Sequence, residues 1–193
     1  MSATSASLLA RAPFSELQLK EIPNSRVVVS ARHSLSLATL MARKAQEATL
    51  ALRVREHFCV ELPQGSQRAA AGEFAFAGLG PGTWLVTREG EEGVHFDALK
   101  AAVVDVGSIV DQSDGYAVLR LSGSGARDTL GKLVPLDLDE CTFEVNTVAC
   151  TAMGHVAGVI WRVDDLKDGA PVFEIAVPRS YSEYFWRVVS KSL

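Results

Sequence analysis

The feature that most constrains the fold is a pair of short strands followed by a glycine-rich turn and a helix in the middle of the chain. Alternating apolar residues predict strands over 106–111 and 116–122. Between them, Gln112-Ser-Asp-Gly115 ends in the Asp-Gly pair that favours a tight β-hairpin. After Ser122-Gly-Ser-Gly125, one-sided apolar spacing predicts a helix that Pro135 ends. The unit is therefore predicted to be a hairpin with a helix packed on it.

A second unit of the same style covers the last third of the chain. Strands are predicted over 147–153, 156–163 and 172–177, and a tight turn joins the first two. Ser180 and Glu183 have the spacing of a capping box, which predicts the start of a final helix. The stripe predicted to face the core in that helix consists of Tyr181, Tyr184, Phe185 and Val188. The similar order of elements in the two units indicates an internal structural repeat.

Strands and helices also follow one another in the first half. A β-branched run predicts a strand over 26–30, and apolar spacing predicts a single helix over 37–58. Residues 74–76 and 84–87 predict two strands of a hairpin, because the residues between them are rich in glycine and proline. A short helix is predicted over 96–103. This mixed order predicts an α+β fold with mainly antiparallel sheets and packed helices.

The length of 193 residues predicts one domain rather than several. Residues 1–25 are rich in serine and alanine and have no periodicity, so we expect an extended or mobile arm there. The single domain is expected over 26–193. Its halves are expected at roughly 26–104 and 105–193.

Charge and cysteine content narrow the class of function. The net charge of −4 argues against sequence-independent binding of nucleic acid, which requires an excess of lysine and arginine. No apolar stretch reaches the length of about 18 residues that a membrane-spanning helix needs. The three cysteines have no CxxC spacing, and the first residues lack the features of a signal peptide. We therefore expect a cytoplasmic protein that binds neither nucleic acid nor membrane.

No group of side chains has the spacing of a catalytic or metal site. Ser122-Gly-Ser-Gly125 precedes a helix as phosphate-binding turns do, but Asp128 occupies the position of the third glycine of a dinucleotide fingerprint. The histidines are scattered: His33, His57, His95 and His155. The acidic pairs lie in predicted loops: Glu91-Glu92 and Asp164-Asp165. We predict no catalytic residue, no cofactor-binding residue and no metal ligand on this chain.

Aromatic side chains concentrate near the end of the chain. Aromatic residues and arginine are enriched at protein interfaces, so Trp161, Arg162 and Trp186 are candidate contacts with a partner. Burial in the chain's own core is the alternative for each of them. An interaction module is expected to expose an apolar patch, or to cover it by forming a homodimer when isolated.

Several segments, taken in order, resemble the gamma subunit family of heterotetrameric sarcosine oxidase. The resemblance covers roughly residues 26–193, and its upstream part includes Gly80-Pro-Gly-Thr-Trp-Leu85. The segments that carry it are Asp111-Gln-Ser-Asp-Gly-Tyr-Ala-Val-Leu-Arg-Leu-Ser-Gly-Ser-Gly-Ala-Arg-Asp-Thr-Leu130, Val134-Pro-Leu-Asp-Leu138, Thr147-Val-Ala-Cys-Thr-Ala-Met-Gly-His-Val156 and Val177-Pro-Arg-Ser-Tyr-Ser-Glu-Tyr-Phe-Trp186.

The resemblance implies two ferredoxin-like halves, as in the folate-binding domain of aminomethyltransferase. It also implies a complex with large, beta and delta subunits in which the partner subunits hold FAD, FMN, NAD and tetrahydrofolate. Such a complex oxidises sarcosine to glycine, with hydrogen peroxide and methylenetetrahydrofolate as further products. The gamma chain is expected to pack against the large subunit and to be inactive when isolated.

Two alternatives stay open from the sequence. One is the equivalent subunit of an N-methylglutamate or dimethylglycine dehydrogenase complex, because the substrate contacts would lie on another subunit. The other is a free-standing folate-binding protein, in which Trp84 or Tyr116 would stack on a pterin.

Overall fold

A computed structural model describes residues 13–14, 26–90 and 96–193. Ten strands and four helices are described in these ranges. The strands are β1 Val28–Ala31, β2 Leu35–Ala42, β3 Arg68–Ala71, β4 Phe74–Gly80, β5 Thr83–Glu89, β6 Gly107–Asp111, β7 Tyr116–Ser122, β8 Val148–Met153, β9 Val156–Val163 and β10 Val172–Pro178. The helices are α1 Glu47–Phe58, α2 Asp97–Val103, α3 Ala126–Gly131 and α4 Ser182–Ser192. No helix of the described ranges has both the length and the apolar character needed to cross a membrane.

The strands form two five-stranded sheets whose described pairings are antiparallel. Sheet I has the order β1-β7-β10-β9-β8, and sheet II has the order β3-β4-β5-β2-β6. Helices α3 and α4 pack on the outer face of sheet I, and α1 and α2 pack on the outer face of sheet II. The inner faces meet around an apolar cluster that includes Leu37, Leu85, Val159 and Trp161. The predicted α+β class with mainly antiparallel sheets is confirmed.

Sheet II is built from one continuous stretch of the chain, β2 to β6, whereas sheet I combines β1 with β7 to β10. β1 precedes all of sheet II in the sequence but pairs with β7 in sheet I, and Val29 lies opposite Leu121. β6 pairs with β2 in sheet II, although the strands that follow it in the chain belong to sheet I. The two sheets therefore do not correspond to two separate stretches of sequence.

The hairpin predicted around Asp114-Gly115 is wrong. The turn itself forms, because the amide of Gly115 donates a hydrogen bond to the carbonyl of Gln112 at 2.9 Å. However, β6 pairs with β2 and β7 lies between β1 and β10, so the turn carries the chain from one sheet to the other. β7 has partner strands on both edges and β6 has one, and all three partners are distant in the sequence. The predicted unit of a hairpin with a helix is therefore absent at this point, and so is that half of the expected internal repeat.

The single helix predicted over 37–58 is also wrong in its first part. Residues 35–42 form β2, the backbone turns at Ala45 with φ 60°, and the helix begins at Glu47. β2 lies between β5 and β6, and its two faces are covered by sheet I and by helices α1 and α2. Leu37 faces sheet I and Leu40 faces the helices. Burial on both sides removed the alternation that would have identified a strand.

The remaining differences are local. The capping box is wrong, because Ser180 lies inside a 3₁₀ turn over Arg179–Tyr181 and no side chain caps α4. Of the stripe predicted to face the core, Phe185 is buried as predicted, whereas Tyr181 and Tyr184 are exposed. The alanine-rich strand β3 was not predicted, since its sequence has no β-branched residue.

Most of the predicted arm and the acidic pair Glu91-Glu92 lie outside the described residues. Phe14 is described, and its side chain is buried in the core between sheet I and helices α3 and α4.

Candidate functional site

A buried carboxylate lies between the two sheets, and the side chains around it come from three adjacent strands. Glu174 on β10 is 3% exposed, and it faces Arg120 on β7 and Trp161 on β9 in direct register. Arg120 donates to its Oε1 from Nε at 3.0 Å and from Nη2 at 2.6 Å. The indole Nε1 of Trp161 donates to its Oε2 at 2.9 Å. Antiparallel pairing therefore places a cation, an anion and an indole donor side by side.

A second guanidinium joins this carboxylate to sheet II. Arg32 follows β1, and its Nε lies 2.9 Å from Oε1 of Glu174. Its other end pairs with Glu89 at the end of β5. Glu174 is thus held by two arginines and one tryptophan, which satisfies the requirement that a buried charge be paired. We call Arg32, Arg120, Trp161 and Glu174 the inter-sheet charge cluster.

Two of the three residues predicted to contact a partner are engaged inside the chain. Trp161 is 1% exposed and belongs to the inter-sheet charge cluster. Arg162 is 4% exposed; its Nη1 donates to the carbonyl of Phe143 at 3.0 Å, and its Nη2 pairs with Asp165 at 2.8 Å. The alternative of burial in the chain's own core describes both residues.

The third residue predicted to contact a partner is Trp186 on α4, which is half-buried against the core of sheet I. Tyr184 on the same helix and Tyr181 in the 3₁₀ turn before it are exposed, and the hydroxyl of Tyr184 donates to the carbonyl of Gly154 at 2.7 Å. Trp186 therefore lies beside an exposed aromatic surface. Partner contact stays a prediction for this residue.

In the glycine-rich turn after β7, both glycine amides donate to backbone carbonyls of the chain itself. The amide of Gly123 donates to Pro171 at 3.2 Å, and the amide of Gly125 donates to Arg26 at 3.0 Å. Gly123 has φ 115°, and an added Cβ would lie 2.3 Å from the Arg26 carbonyl oxygen. The close approach of the backbone before β1 explains why glycine is needed here.

The aromatic residues considered for pterin stacking are both part of the core. Trp84 is buried against helices α1 and α2, and its Nε1 donates to the carbonyl of Pro63 at 3.0 Å. Tyr116 is half-buried at the border of the apolar cluster between the sheets. Neither ring lines the open cavity described below.

That cavity lies at the end of α1 and has a volume of about 500 Å³. Phe58 and Phe74 form part of its wall in an edge-to-face contact with ring centres 5.0 Å apart. The Arg88 guanidinium lies over Phe74 and also pairs with Glu73 at 2.9 Å. The cavity is a shallow surface depression whose charged groups are paired with each other.

The structure does not bring the candidate catalytic residues together. Within the described ranges, no three histidine, cysteine, aspartate or glutamate side chains are grouped as a metal site. His95 and the Glu91-Glu92 pair lie outside the described residues, and Asp165 is occupied by Arg162. The free thiols lie apart on the surface at Cys59, Cys141 and Cys150.

We expect Asp139 to control the reactivity of Cys141. The negative charge of Asp139 is the main cause that raises the pKa of the Cys141 thiol, so less of the reactive thiolate is present near neutral pH. In an Asp139→Asn chain the iodoacetamide reaction of Cys141 at pH 8 should accelerate severalfold, as followed by peptide mass spectrometry. Cys150 is the matched control. Burial raises the pKa of the Cys150 thiol, so loss of the Asp139 charge should not change its reaction rate with iodoacetamide. An unchanged Cys141 rate would contradict the assignment.

Sequence reasoning missed Glu174 and its two arginine partners. A signal was present, since Glu174 is the one charged residue in the apolar strand Val172–Pro178. A carboxylate in a buried strand requires a cation, but nothing local indicates that Arg32 and Arg120 supply it.

Comparison with known proteins assigns relatives to this chain. A family described as "Sarcosine oxidase, gamma subunit family" matches residues 42–192. A sarcosine oxidase subunit gamma from Arthrobacter sp. is 31% identical over 106 residues, which are 54% of this chain and 52% of the relative. The chain thus spans about half the length of this curated relative.

Two solved structures have similar folds. A heterotetrameric sarcosine oxidase from Corynebacterium sp. U-96, in complex with pyrrole 2-carboxylate, has a chain with TM-score 0.80 and 25% identity, covering 96% of this chain and 95% of that one. The glycine cleavage system aminomethyltransferase T from Bartonella henselae has TM-score 0.66 and 14% identity, covering 86% of this chain and 45% of that one. The second likeness concerns the fold, and it agrees with the predicted similarity to the aminomethyltransferase folate-binding domain.

Proposed function

Because the chain belongs to the sarcosine oxidase gamma subunit family, we propose that it is the gamma subunit of a heterotetrameric sarcosine oxidase. The family predicted from the sequence is confirmed by the match over residues 42–192. The single observation that carries the proposed function is the near-complete overlap with one chain of a heterotetrameric sarcosine oxidase.

In this proposal the chain contributes structure to the complex and the partner subunits perform the chemistry. The complex would oxidise the N-methyl group of sarcosine and release glycine, hydrogen peroxide and, with folate, methylenetetrahydrofolate. FAD, FMN, NAD and tetrahydrofolate would be held by the large and beta subunits, and the complex, which also includes a delta subunit, would be cytoplasmic. The proposal is supported by the internal pairing of Glu174, Arg162 and Trp161, because each of these polar groups binds another group of the same chain.

The proposed surface for the large subunit includes Trp186 and Tyr184 of α4 and Tyr181 of the 3₁₀ turn before it. Aromatic side chains bury a large area with little loss of conformational freedom, so they are frequent at the centres of interfaces. Tyr181 and Tyr184 are exposed in the isolated chain and would be covered in the complex.

The proposal predicts stoichiometric assembly with flavoprotein subunits. The isolated chain should be colourless and should not oxidise sarcosine, whereas the chain co-expressed with tagged flavoprotein subunits should copurify with them at a fixed ratio. Absorption between 350 and 500 nm and peroxide release provide the two readouts. An unrelated protein of similar size, co-expressed in place of this chain, is the control.

Oxidation of sarcosine by the isolated chain would refute the proposed role, and so would failure to copurify. Assays of the assembled complex with N-methylglutamate and dimethylglycine decide between sarcosine oxidase and the related dehydrogenases. If the complex turns over either amine faster than sarcosine, that amine is the substrate. The proposal that this chain is a subunit of the complex would still stand.

A further inference from the structure

The outer edge of β8 has a gap in its backbone hydrogen bonding. β8 is the last strand of sheet I and pairs with β9 on one side. On the other side, the amide of Val148 donates to the carbonyl of Ser66 at 2.9 Å, so this amide points away from β9. After the strand, the amide of Gly154 donates to the carbonyl of Leu133 at 3.0 Å. The chain's own backbone therefore holds both ends of this edge.

Two residues between these ends have the same orientation as Val148. Backbone groups alternate between the two edges of a strand, so the amides and carbonyls of Cys150 and Ala152 also point away from β9. Within the described ranges, none of these four groups has a hydrogen-bond partner. Both residues are exposed. The middle of the edge is therefore open to another backbone.

β8 lacks the features that normally protect a free edge strand. Soluble proteins protect such edges with charged side chains, proline, bulges or very short strands. The sequence of β8 is Val-Ala-Cys-Thr-Ala-Met, without a charge or a proline, and its register with β9 is continuous. The other edge strands differ, because β1 and β3 have four residues each and β6 ends at Asp111. β8 is thus the edge strand best suited to accept a further strand.

This edge adjoins the surface proposed for the large subunit. The hydroxyl of Tyr184 donates to the carbonyl of Gly154, the residue that directly follows β8. Val188 of the same helix packs so closely on this turn that an added Cβ at Gly154 would lie 2.9 Å from its Cγ1. A partner that covers the aromatic surface of α4 would therefore also reach the edge of β8.

The side chains at the open positions indicate which kind of strand fits. Cys150 and Ala152 are small and uncharged, and Ala157, which lies opposite Ala152 in β9, is exposed as well. Small side chains leave space for branched or aromatic side chains on the neighbouring strand. At about 3.3 Å per residue, the edge from Val148 to Gly154 is roughly 20 Å long, which is enough for a strand of about four or five residues.

We propose that the open edge of β8 receives a short uncharged strand of the large subunit, which pairs with the backbone of Cys150 and Ala152. This inference rests on the proposed function, because it requires that the chain assembles with another subunit. In strand addition the main chain supplies the hydrogen bonds and alternate side chains supply the specificity. The added strand bonds the two free amides and the two free carbonyls, and sheet I grows from five strands to six.

The first test compares the association of proline variants with the purified flavoprotein subunits by biolayer interferometry. Ala152→Pro removes one outward amide without removing a hydrogen bond to β9, a position that tolerates proline. Association should weaken on the order of tenfold or more, because the ring also blocks the added strand. Ala31→Pro is the matched control. Its amide points away from β7, since the next amide, that of Arg32, donates to the carbonyl of Val118, and this variant should bind like the wild type.

A charge on the same edge is the second variant. Cys150→Lys keeps every backbone group in place but would bury an unpaired ammonium group against the added strand, so it should also weaken association. Val28→Lys is its control, because Val28 is exposed on β1 at the opposite edge of sheet I. This pair replaces the proline pair if Ala152→Pro does not fold by circular dichroism.

Hydrogen exchange of the wild-type complex distinguishes strand pairing from contact between side chains. In the isolated chain the amides of Cys150 and Ala152 should exchange quickly, whereas that of Thr151, which faces β9, should exchange slowly. In the complex the peptide over 148–153 should gain about two slowly exchanging amides, one for each open position.

Each outcome separates the inference from the proposed function. Wild-type binding by Ala152→Pro or Cys150→Lys, or unchanged exchange of the peptide in the complex, overturns the strand addition and leaves the proposed function intact. A dimer of the isolated chain that protects the same amides, and that Ala152→Pro abolishes, would show that a second copy covers the edge and would also overturn it. If the wild-type chain does not associate with the flavoprotein subunits, the proposed function fails and the strand addition fails with it.

Discussion

A Glu174→Gln chain is expected to lose about 3 kcal/mol of unfolding free energy, because removal of one member of a buried ionic group leaves the others uncompensated. Both carboxylate oxygens of Glu174 accept hydrogen bonds from neighbouring N–H groups. The glutamine amide would replace one of these oxygens with an NH₂ group, which would then face another N–H donor. Arg32 and Arg120 would also lose their shared anion. For a chain of this length the loss corresponds to a fall in melting temperature of about 6–12 °C.

Urea unfolding followed by tryptophan fluorescence and far-ultraviolet circular dichroism measures this change. Glu183→Gln is the matched control, because Glu183 forms an exposed pair with Arg187, and its effect should stay within about 0.5 kcal/mol. A Glu174→Gln chain with the stability of the wild type would mean that the carboxylate does not hold the two sheets together.

A Gly123→Ala chain is expected to be destabilised by about 3 kcal/mol, since it combines backbone strain with a steric clash. Gly123 has φ 115°, a conformation that a residue with a Cβ rarely adopts. The new methyl group would also lie 2.3 Å from the backbone oxygen of Arg26. Because the clash is with backbone, the segment leading into β1 would have to move away from the turn.

Gly131→Ala provides the control for this substitution. Gly131 lies in the last turn of α3, and an added Cβ would have no atom within 4 Å, so alanine should be neutral or slightly stabilising. Thermal denaturation of both variants gives the comparison. Equal melting temperatures of Gly123→Ala and Gly131→Ala would show that the close approach to Arg26 is not needed for folding.

Strands could be predicted where a short apolar run rich in β-branched residues was bounded by glycine or proline turns. The hairpin of β8 and β9 is an example, because β9 follows directly after a turn at Gly154 and His155. The same rules failed for β2, whose two buried faces gave the spacing of a helix that continued into α1. Local periodicity does not distinguish a strand covered on both sides from a helix.

The Asp114-Gly115 turn illustrates a different limit. Its chemistry was predicted correctly, since a tight turn forms there. The pairing of the flanking strands was not, because β2 and β10 compete for them from distant parts of the chain. Turn propensity is a local property, whereas strand pairing depends on which apolar faces the whole fold covers.

The inter-sheet charge cluster could be predicted only in part. The position of Glu174 in an apolar strand indicated that a cation must lie nearby, but its partners Arg32 and Arg120 come from segments 142 and 54 residues away (174 − 32 and 174 − 120).

The pairing of β1 with β7 has a consequence for synthesis of the chain on the ribosome. β1 is the first strand to leave the exit tunnel, but its partner β7 begins 85 residues after β1 ends (116 − 31). During this interval the backbone amide and carbonyl groups of β1 have no partner strand, and the side chain of Val28 is exposed. A nascent chain stalled before residue 116 would therefore carry an open strand available to chaperones or to another copy, and a cut near the midpoint would leave neither fragment with its full set of strands.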